Sequence, residues 1–276
     1  MMRVALIQSN IIWEDKKANI DKLVTILEAM KLTGREVDII LLPEMSFTGF
    51  SMNTGYTAED IEAEQTTMVR VRALCEKYHV AIGFGWVKSL GKATGSLMSE
   101  NHYSVLDAEG RQVLDYAKLH PFSYSGEDKY FVGGDRVSVG GFRDFCIGAA
   151  ICYDLRFPEV FQAMSDEADF IIVPANWPSG RREHFITLTR ARAIENQCYI
   201  AAVNCQGDIG DVAYSGDSMV IAPDGTELLP KESFFEGADK VLIYDLENNV
   251  ADVRKAFPTR KDRRNDLYIS FLKNIK

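Results

Sequence analysis

Five cysteines stand at positions 75, 146, 152, 198 and 205 of this 276-residue chain, and a thiol is the strongest intrinsic nucleophile that a protein carries. Four of them lie in apolar patterning: Cys75 on a helix face, Cys146 inside Phe145-Cys146-Ile147-Gly148, and Cys198 and Cys205 on either side of the run from Tyr199 to Asn204. They read as small buried hydrophobes. Cys152 differs. It closes the apolar run Phe145 to Ile151 and opens the polar turn Tyr153-Asp154-Leu155-Arg156-Phe157-Pro158-Glu159, in which Pro158 marks a helix start. A strand-to-helix turn exposes its residue and aims the next backbone N–H at a developing oxyanion. Taken alone, a cysteine at such a turn is still more often packing than catalytic. The odd count and the lack of a Cys-x-x-Cys pair suggest neither a disulfide framework nor a zinc clip, so free thiols are expected.

A thiol needs a base. The four histidines, His79, His102, His120 and His184, fall in no Cys/His signature, although a spatial thiol–imidazole pair stays open. Glu44 is the stronger candidate: it follows Leu41-Leu42-Pro43 directly and so projects from the carboxyl edge of a sheet, where open α/β sheets bind ligands. Its bland alternative is a carboxylate that caps the following loop. Lys118 likewise ends a strand, ahead of Leu119-His120-Pro121-Phe122, with Glu127 near enough to share a site. A lysine there is usually a snorkelled surface residue. What raises all three is that Glu44, Lys118 and Cys152 each follow a strand.

The elements that must position them are legible from periodicity. Arg3 to Gln8 and Asp38 to Leu42 read as strands, and Ile20, Leu23, Val24, Leu27 and Met30 between them recur at helical spacing. A second helix face carries Ile61, Met68, Val71, Leu74 and Cys75 ahead of a strand from Val80 to Val87. Hairpins follow: Asp107-Ala108-Glu109-Gly110 joins His102–Leu106 to Gln112–Tyr116, and Pro223-Asp224-Gly225 joins Ser218–Ile221 to a strand near Leu228. The chain also echoes itself, since Glu36-Val37-Asp38-Ile39-Ile40-Leu41-Leu42-Pro43 has a counterpart in Glu167-Ala168-Asp169-Phe170-Ile171-Ile172-Val173-Pro174, each with a proline stop. The spacing, close to half the chain, suggests two α/β halves on one core. Near-continuous apolar strands want both faces covered, which predicts a four-layer α-β-β-α sandwich, two mixed sheets with the helices outside.

Composition sets limits. With 46% hydrophobic and 26% charged residues the chain can bury a sizeable core, and residues 1–276 are expected to form a single domain. A net charge of −9 argues against nucleic acid as a partner. The apolar runs are too short for a membrane span, and the opening Met1-Met2-Arg3-Val4-Ala5-Leu6-Ile7-Gln8 is too short for a signal peptide, so a cytoplasmic protein is expected.

Leu41-Leu42-Pro43-Glu44-Met45, Lys118-Leu119-His120-Pro121-Phe122 and Cys152-Tyr153-Asp154-Leu155-Arg156-Phe157-Pro158-Glu159 together resemble the nitrilase, or carbon-nitrogen hydrolase, superfamily. Val4-Ala5-Leu6-Ile7-Gln8, Ala191-Arg192-Ala193-Ile194-Glu195-Asn196-Gln197 and the segment from Phe257 to Tyr268 extend the likeness over nearly the whole chain. Thr48-Gly49-Phe50-Ser51-Met52 and Ala175-Asn176-Trp177-Pro178 look like its omega-amidase branch, which hydrolyses the side-chain amide of 2-oxo acid amides.

The resemblance implies the nitrilase fold and a catalytic set: Glu44 as general base, Lys118 with the Tyr153 backbone N–H as oxyanion holders, Cys152 as nucleophile, and Glu127 as a fourth, acidic residue, with Asp128 as its neighbour and rival. It implies no metal or organic cofactor. An omega-amide also carries a carboxylate, which calls for a cationic fork. Arg181 or Arg182 could supply it, Arg181 slightly ahead, while the acidic neighbours of Arg156 make that residue look structural. Phe122, Tyr130 and Trp177 are candidate pocket walls, though aromatic residues at strand ends are more often core. The basic set Arg254, Lys255, Arg260, Lys261, Arg263 and Arg264 reads as a solvated or subunit-facing tail from about residue 254; members of the family commonly dimerise, so a homodimer or higher homo-oligomer is expected. Two alternatives stand beside the 2-oxo amide: another substrate of the same superfamily, an N-carbamoyl amino acid or a nitrile, and a non-enzymatic binding or scaffold protein of this fold.

Overall fold

The computed structural model describes residues 1–60, 66–91 and 98–273. Ile61, assigned above to the second helix face, lies outside them. The strands in chain order are β1 (Met2–Gln8), β2 (Ile39–Leu41), β3 (Ala81–Ser89), β4 (Ser99–Leu106), β5 (Gln112–Ala117), β6 (Val139–Phe142), β7 (Phe145–Ala149), β8 (Phe170–Ala175), β9 (Tyr199–Asn204), β10 (Gln206–Ile209), β11 (Val212–Ser215), β12 (Met219–Ile221), β13 (Glu232–Glu236) and β14 (Asp239–Leu246). The α-helices are α1 (Lys16–Leu32), α2 (Thr54–Thr57), α3 (Thr67–Tyr78), α4 (Pro158–Met164), α5 (Arg182–Asn196), α6 (Val250–Ala256) and α7 (Asn265–Leu272).

Two mixed sheets result. One has seven strands in the order β13-β14-β1-β2-β3-β4-β5 and the other five in the order β12-β9-β8-β7-β6, with β10-β11 a separate hairpin. β1, β2 and β3 run parallel, as do β7, β8 and β9. Alternation along each strand sorts side chains into layers. Val4, Leu6, Phe170, Ile172, Tyr199 and Ala201 meet in one cluster between the sheets. Ala5 and Ile7 turn instead to Ile20, Leu23 and Leu27 of α1 and to Val71 and Leu74 of α3, while Ile171 and Val173 turn to Phe161 of α4 and Phe185 of α5. The four-layer α-β-β-α sandwich is thus built by period-two patterning on strands whose two faces are both buried.

The internal echo has a structural meaning. Asp38 caps the strand beside it, accepting the Arg3 N–H at 2.7 Å, and Asp169 does the same for the Cys146 N–H at 3.2 Å. Each acid's own N–H bonds the neighbouring strand, Asp38 to the Arg3 carbonyl and Asp169 to the Cys146 carbonyl, both at 2.8 Å. The proline stop holds in only one half. Pro43 follows β2, but Pro174 lies inside β8, paired with Val203 of β9. β7 pairs with β8 only as far as Ile172, so no neighbour there needs the missing N–H.

Two further expectations are corrected. The strand near Leu228 is reduced to a single bridge, Ile221 to Glu227, with Leu228 N–H bonded to the Val220 carbonyl. The basic tail is not wholly solvated: Arg254 donates to the carbonyls of Ser165, Ala168 and Gln197, Arg263 to the Glu195 carbonyl, and Arg260 to Asp166. Arg254 and Arg263 thereby cap the carboxyl ends of α4 and α5, where unpaired carbonyls attract positive charge.

Candidate active site

The parallel strands of both sheets point their carboxyl ends at one cavity of about 230 Å³, lined among others by Glu44, Lys118, Cys152, Asn176, Trp177 and Tyr214. Glu44 arrives one residue after Pro43. Met45, next to it, is held in the left-handed region at φ 43°. The turn is clamped to β3, because Ser46 N–H donates to the Gly85 carbonyl at 3.0 Å and Gly85 N–H donates to Ser46 Oγ at 2.8 Å. Glycine is required at 85, since a Cβ built there would lie 2.3 Å from the Met45 nitrogen.

Lys118 follows β5 and is almost wholly buried. Its Nζ donates to Glu44 Oε1 at 2.9 Å and to Glu127 Oε2 at 2.9 Å and Oε1 at 3.1 Å. Burial by itself would lower the lysine's pKa, but the two carboxylates outweigh it and hold the ammonium well above its ordinary value. Asn101, on β4, ties the acids together by donating to Glu44 Oε1 at 2.8 Å and to Glu127 Oε1 at 3.2 Å. A 3-10 turn over Glu127–Lys129 directs Glu127 inward and leaves Asp128 exposed, which separates the two rivals.

Cys152 sits at φ 45°, a conformation that costs a non-glycine residue about 1–3 kcal/mol. The surroundings impose it. Asp154, fully buried, accepts from Ile151 N–H at 3.0 Å, His120 N–H at 3.0 Å and the Tyr116 hydroxyl at 2.8 Å, and its other contact is His120 Nδ1 at 2.8 Å. The first ladder bond of the turn is Asp154 N–H to the Ile151 carbonyl, which leaves the N–H groups of Cys152 and Tyr153 ahead of it. The thiol interacts with the Glu44 carboxylate and the Asn176 N–H. Burial, then the Glu44 charge, push its pKa well above the ordinary range, against the opposing pull of Lys118. A thiol, a carboxyl group and an ammonium thus stand together, the groups that acyl transfer needs for a nucleophile, a base and an oxyanion partner. Among the described residues no histidine lines the cavity.

Asn176, from beyond β8, stitches the two sheets together. Its N–H donates to Glu44 Oε2 at 3.1 Å and its Nδ2 to the Glu44 carbonyl at 2.6 Å, while its buried Oδ1 has no hydrogen-bond partner among the described residues.

A carbon-nitrogen hydrolase family model matches residues 3–255. The chain belongs to the carbon-nitrogen hydrolase family. It is 33% identical to the omega-amidase YafV of Yersinia enterocolitica over 80% of this chain and 81% of that protein. It is 30% identical to the 2-oxoglutaramate amidase of Bacillus subtilis over 96% and 98% of the two chains. Among solved structures, a carbon-nitrogen hydrolase superfamily protein from Xanthomonas campestris with an arsenic adduct in its active site superposes with a TM-score of 0.81 at 28% identity, covering 95% of this chain and 97% of the other.

The lining of this hydrolase's cavity sorts the remaining candidates. Phe122, Tyr153, Trp177 and Arg181 line it. Arg182 does not: it pairs with Asp217 and Glu183 at the surface. Tyr130 is displaced as well, its ring exposed, because the turn that points Glu127 inward also buries Phe131 and leaves the three residues between them outside. The sequence expectation that acidic neighbours make Arg156 structural is not met, since no carboxylate pairs with it among the described residues. Asp154 is committed to the Cys152 turn, and Arg156 lies in the cavity lining with its guanidinium 4.7 Å over the Trp177 ring. Trp177 also donates its indole N–H to the Arg181 carbonyl at 2.8 Å. Neither Arg156 nor Arg181 has a carboxylate partner among the described residues. Asn101, Asp154, Gly85 and Tyr214 were not singled out from sequence; the one visible signal was Asn101, a polar residue inside an otherwise strand-like run.

Proposed function

We propose that this hydrolase is an omega-amidase that releases ammonia from the side-chain amide of a small 2-oxo dicarboxylate monoamide, 2-oxoglutaramate or 2-oxosuccinamate. The observation that carries the reading is that one cavity is lined both by Glu44, Lys118 and Cys152, with Glu127 paired to Lys118 behind them, and by two guanidiniums without carboxylate partners among the described residues, Arg156 and Arg181. In this reading a substrate carboxylate held by an arginine sets the amide carbonyl over the thiol. The names of the Yersinia and Bacillus relatives support the same class.

Glu44 takes the Cys152 proton as Sγ attacks the carbonyl carbon, and Lys118 and the Tyr153 N–H hold the resulting oxyanion. Protonated Glu44 then gives its proton to the leaving nitrogen, ammonia departs and a thioester remains. Glu44 next deprotonates water, whose oxygen adds to the thioester; collapse expels the thiolate, which recovers the proton from Glu44 as the carboxylic acid leaves. Glu127 holds the ammonium in place throughout. This scheme uses neither a metal nor an organic cofactor.

The functional unit we propose is one domain over residues 1–276 in a cytoplasmic homodimer, with α7, whose Ile269, Phe271 and Leu272 are all exposed, packed on the partner. Among the described residues no helix is long and apolar enough to cross a membrane. The test is ammonia release from 2-oxoglutaramate, 2-oxosuccinamate, glutamine and an N-carbamoyl amino acid by wild type and Cys152→Ala. Cys152-dependent turnover confined to the 2-oxo amides supports the reading; turnover of the carbamoyl substrate alone, with carbon dioxide, moves the substrate and refutes it.

A further inference from the structure

Tyr214 stands on β11, in a hairpin that belongs to neither large sheet and packs on the turn carrying Arg181. Its ring is anchored against Ile11, Cys205 and Ile209. Across the hairpin its partner is Gly207, which presents no side chain. The residue is half-buried and lines the cavity, and its hydroxyl makes no hydrogen bond among the described residues. A phenol held by its ring with an uncommitted O–H is a group waiting for a ligand acceptor.

We infer that Tyr214 is a specificity residue whose hydroxyl donates to the 2-oxo oxygen of the substrate, between the carboxylate held by the arginines and the amide held by Cys152. This rests on the omega-amidase reading and adds to it the group that recognises the 2-position. Burial, then Cys205, Cys152 and Glu44, raise the pKa of the phenol, and Arg181 opposes them. It therefore remains a donor throughout the neutral and mildly alkaline range. An oxo group, a plain methylene and an ammonium at the 2-position meet different fates. An oxo oxygen accepts the bond, a methylene leaves the donor unmatched, and an ammonium is repelled by Arg156 and Arg181.

The test compares wild type and Tyr214→Phe on 2-oxoglutaramate and on glutaramate, the analogue with a methylene at the 2-position. Loss of a hydrogen bond of this kind is worth roughly 10-fold or more in kcat/KM. The expected result is that wild type prefers the 2-oxo amide and that Tyr214→Phe erases at least 10-fold of that preference while melting at the wild-type temperature. In a Cys152→Ala background, Tyr214→Phe should weaken 2-oxoglutarate binding more than glutarate binding, which separates recognition from turnover. Equal losses on both amides, or a preference that survives the substitution, overturn the assignment of Tyr214 and leave the omega-amidase reading intact. Wild type that turns over neither amide overturns both.

Discussion

Gly85→Ala tests whether the site is held by backbone fit, without touching any ionisable group. A Cβ at 85 would meet the Met45 nitrogen at 2.3 Å, the Glu44 carbonyl carbon at 2.9 Å and the Glu44 Cα at 3.0 Å, all main chain and none able to swing aside. Ordinary contact begins at 3.4 Å, so the Glu44–Met45 turn must retreat by about 1 Å. Glu44 is held by bonds of 2.8 Å to Asn101, 2.9 Å to Lys118 and 3.1 Å to the Asn176 N–H, and a shift of that size breaks some of them. Displacement of about 1 Å in a reacting group costs on the order of 10²-fold in turnover, while overpacking costs about 1–3 kcal/mol of stability, which a chain of this size survives. The assay is kcat for ammonia release at saturating amide, with thermal unfolding and circular dichroism as checks on the fold. Gly141→Ala is the control, since a Cβ there meets nothing within 4 Å. A folded Gly85→Ala enzyme with kcat within twofold of wild type would refute the claim that the β3 backbone positions the base.

Lys118→Met leaves two buried carboxylates without their cation, so it should abolish turnover and lower the melting temperature; Lys118→Met/Glu127→Gln should recover melting temperature but not activity, and recovery of both would remove Lys118 from the oxyanion role. Burial pushes Cys75 and Cys198 up to about 12 and Cys152 and Cys205 well above the ordinary thiol range, so above pH 9 the folded state keeps protons that the unfolded state loses. Stability should accordingly fall as pH rises past about 9, and Cys198→Ala should flatten that slope in melts from pH 7 to 10.5. Arg156→Gln should cut kcat/KM for a 2-oxo dicarboxylate monoamide at least ~10-fold; a similar loss on a neutral aliphatic amide would show that Arg156 acts through Trp177 instead of on a carboxylate.

The strand-to-site relations were legible because they depend on short patterns: an apolar run, a stop and then a polar residue put Glu44 and Cys152 at carboxyl edges, and the Asp38/Asp169 echo marked equivalent strands in two halves. What escaped depends on pairing across long separations. Asn101 is one polar residue in a strand, and its role appears only when β4 is set beside β3 and β5. Asp154 reads as a helix-start acid until Tyr116 and His120, more than 30 residues earlier, are seen to donate to it. Tyr130 and Arg156 failed in opposite directions for one reason, because a single 3-10 turn decides which of several adjacent side chains faces the cavity.

The proposed base Glu44, Lys118 and Glu127 follow strands of the seven-stranded sheet, whereas the proposed nucleophile Cys152, Asn176 and both arginines follow strands of the five-stranded sheet. The distance between thiol and base therefore depends on how the two sheets are seated on the cluster of Val4, Leu6, Phe170 and Ile172 between them. Turnover becomes a gauge of that seating. Mild denaturation that loosens the cluster while sparing each sheet's hydrogen bonds should silence the enzyme before its far-ultraviolet signal changes, and a methyl group removed from the cluster should lower turnover although it touches nothing at the thiol.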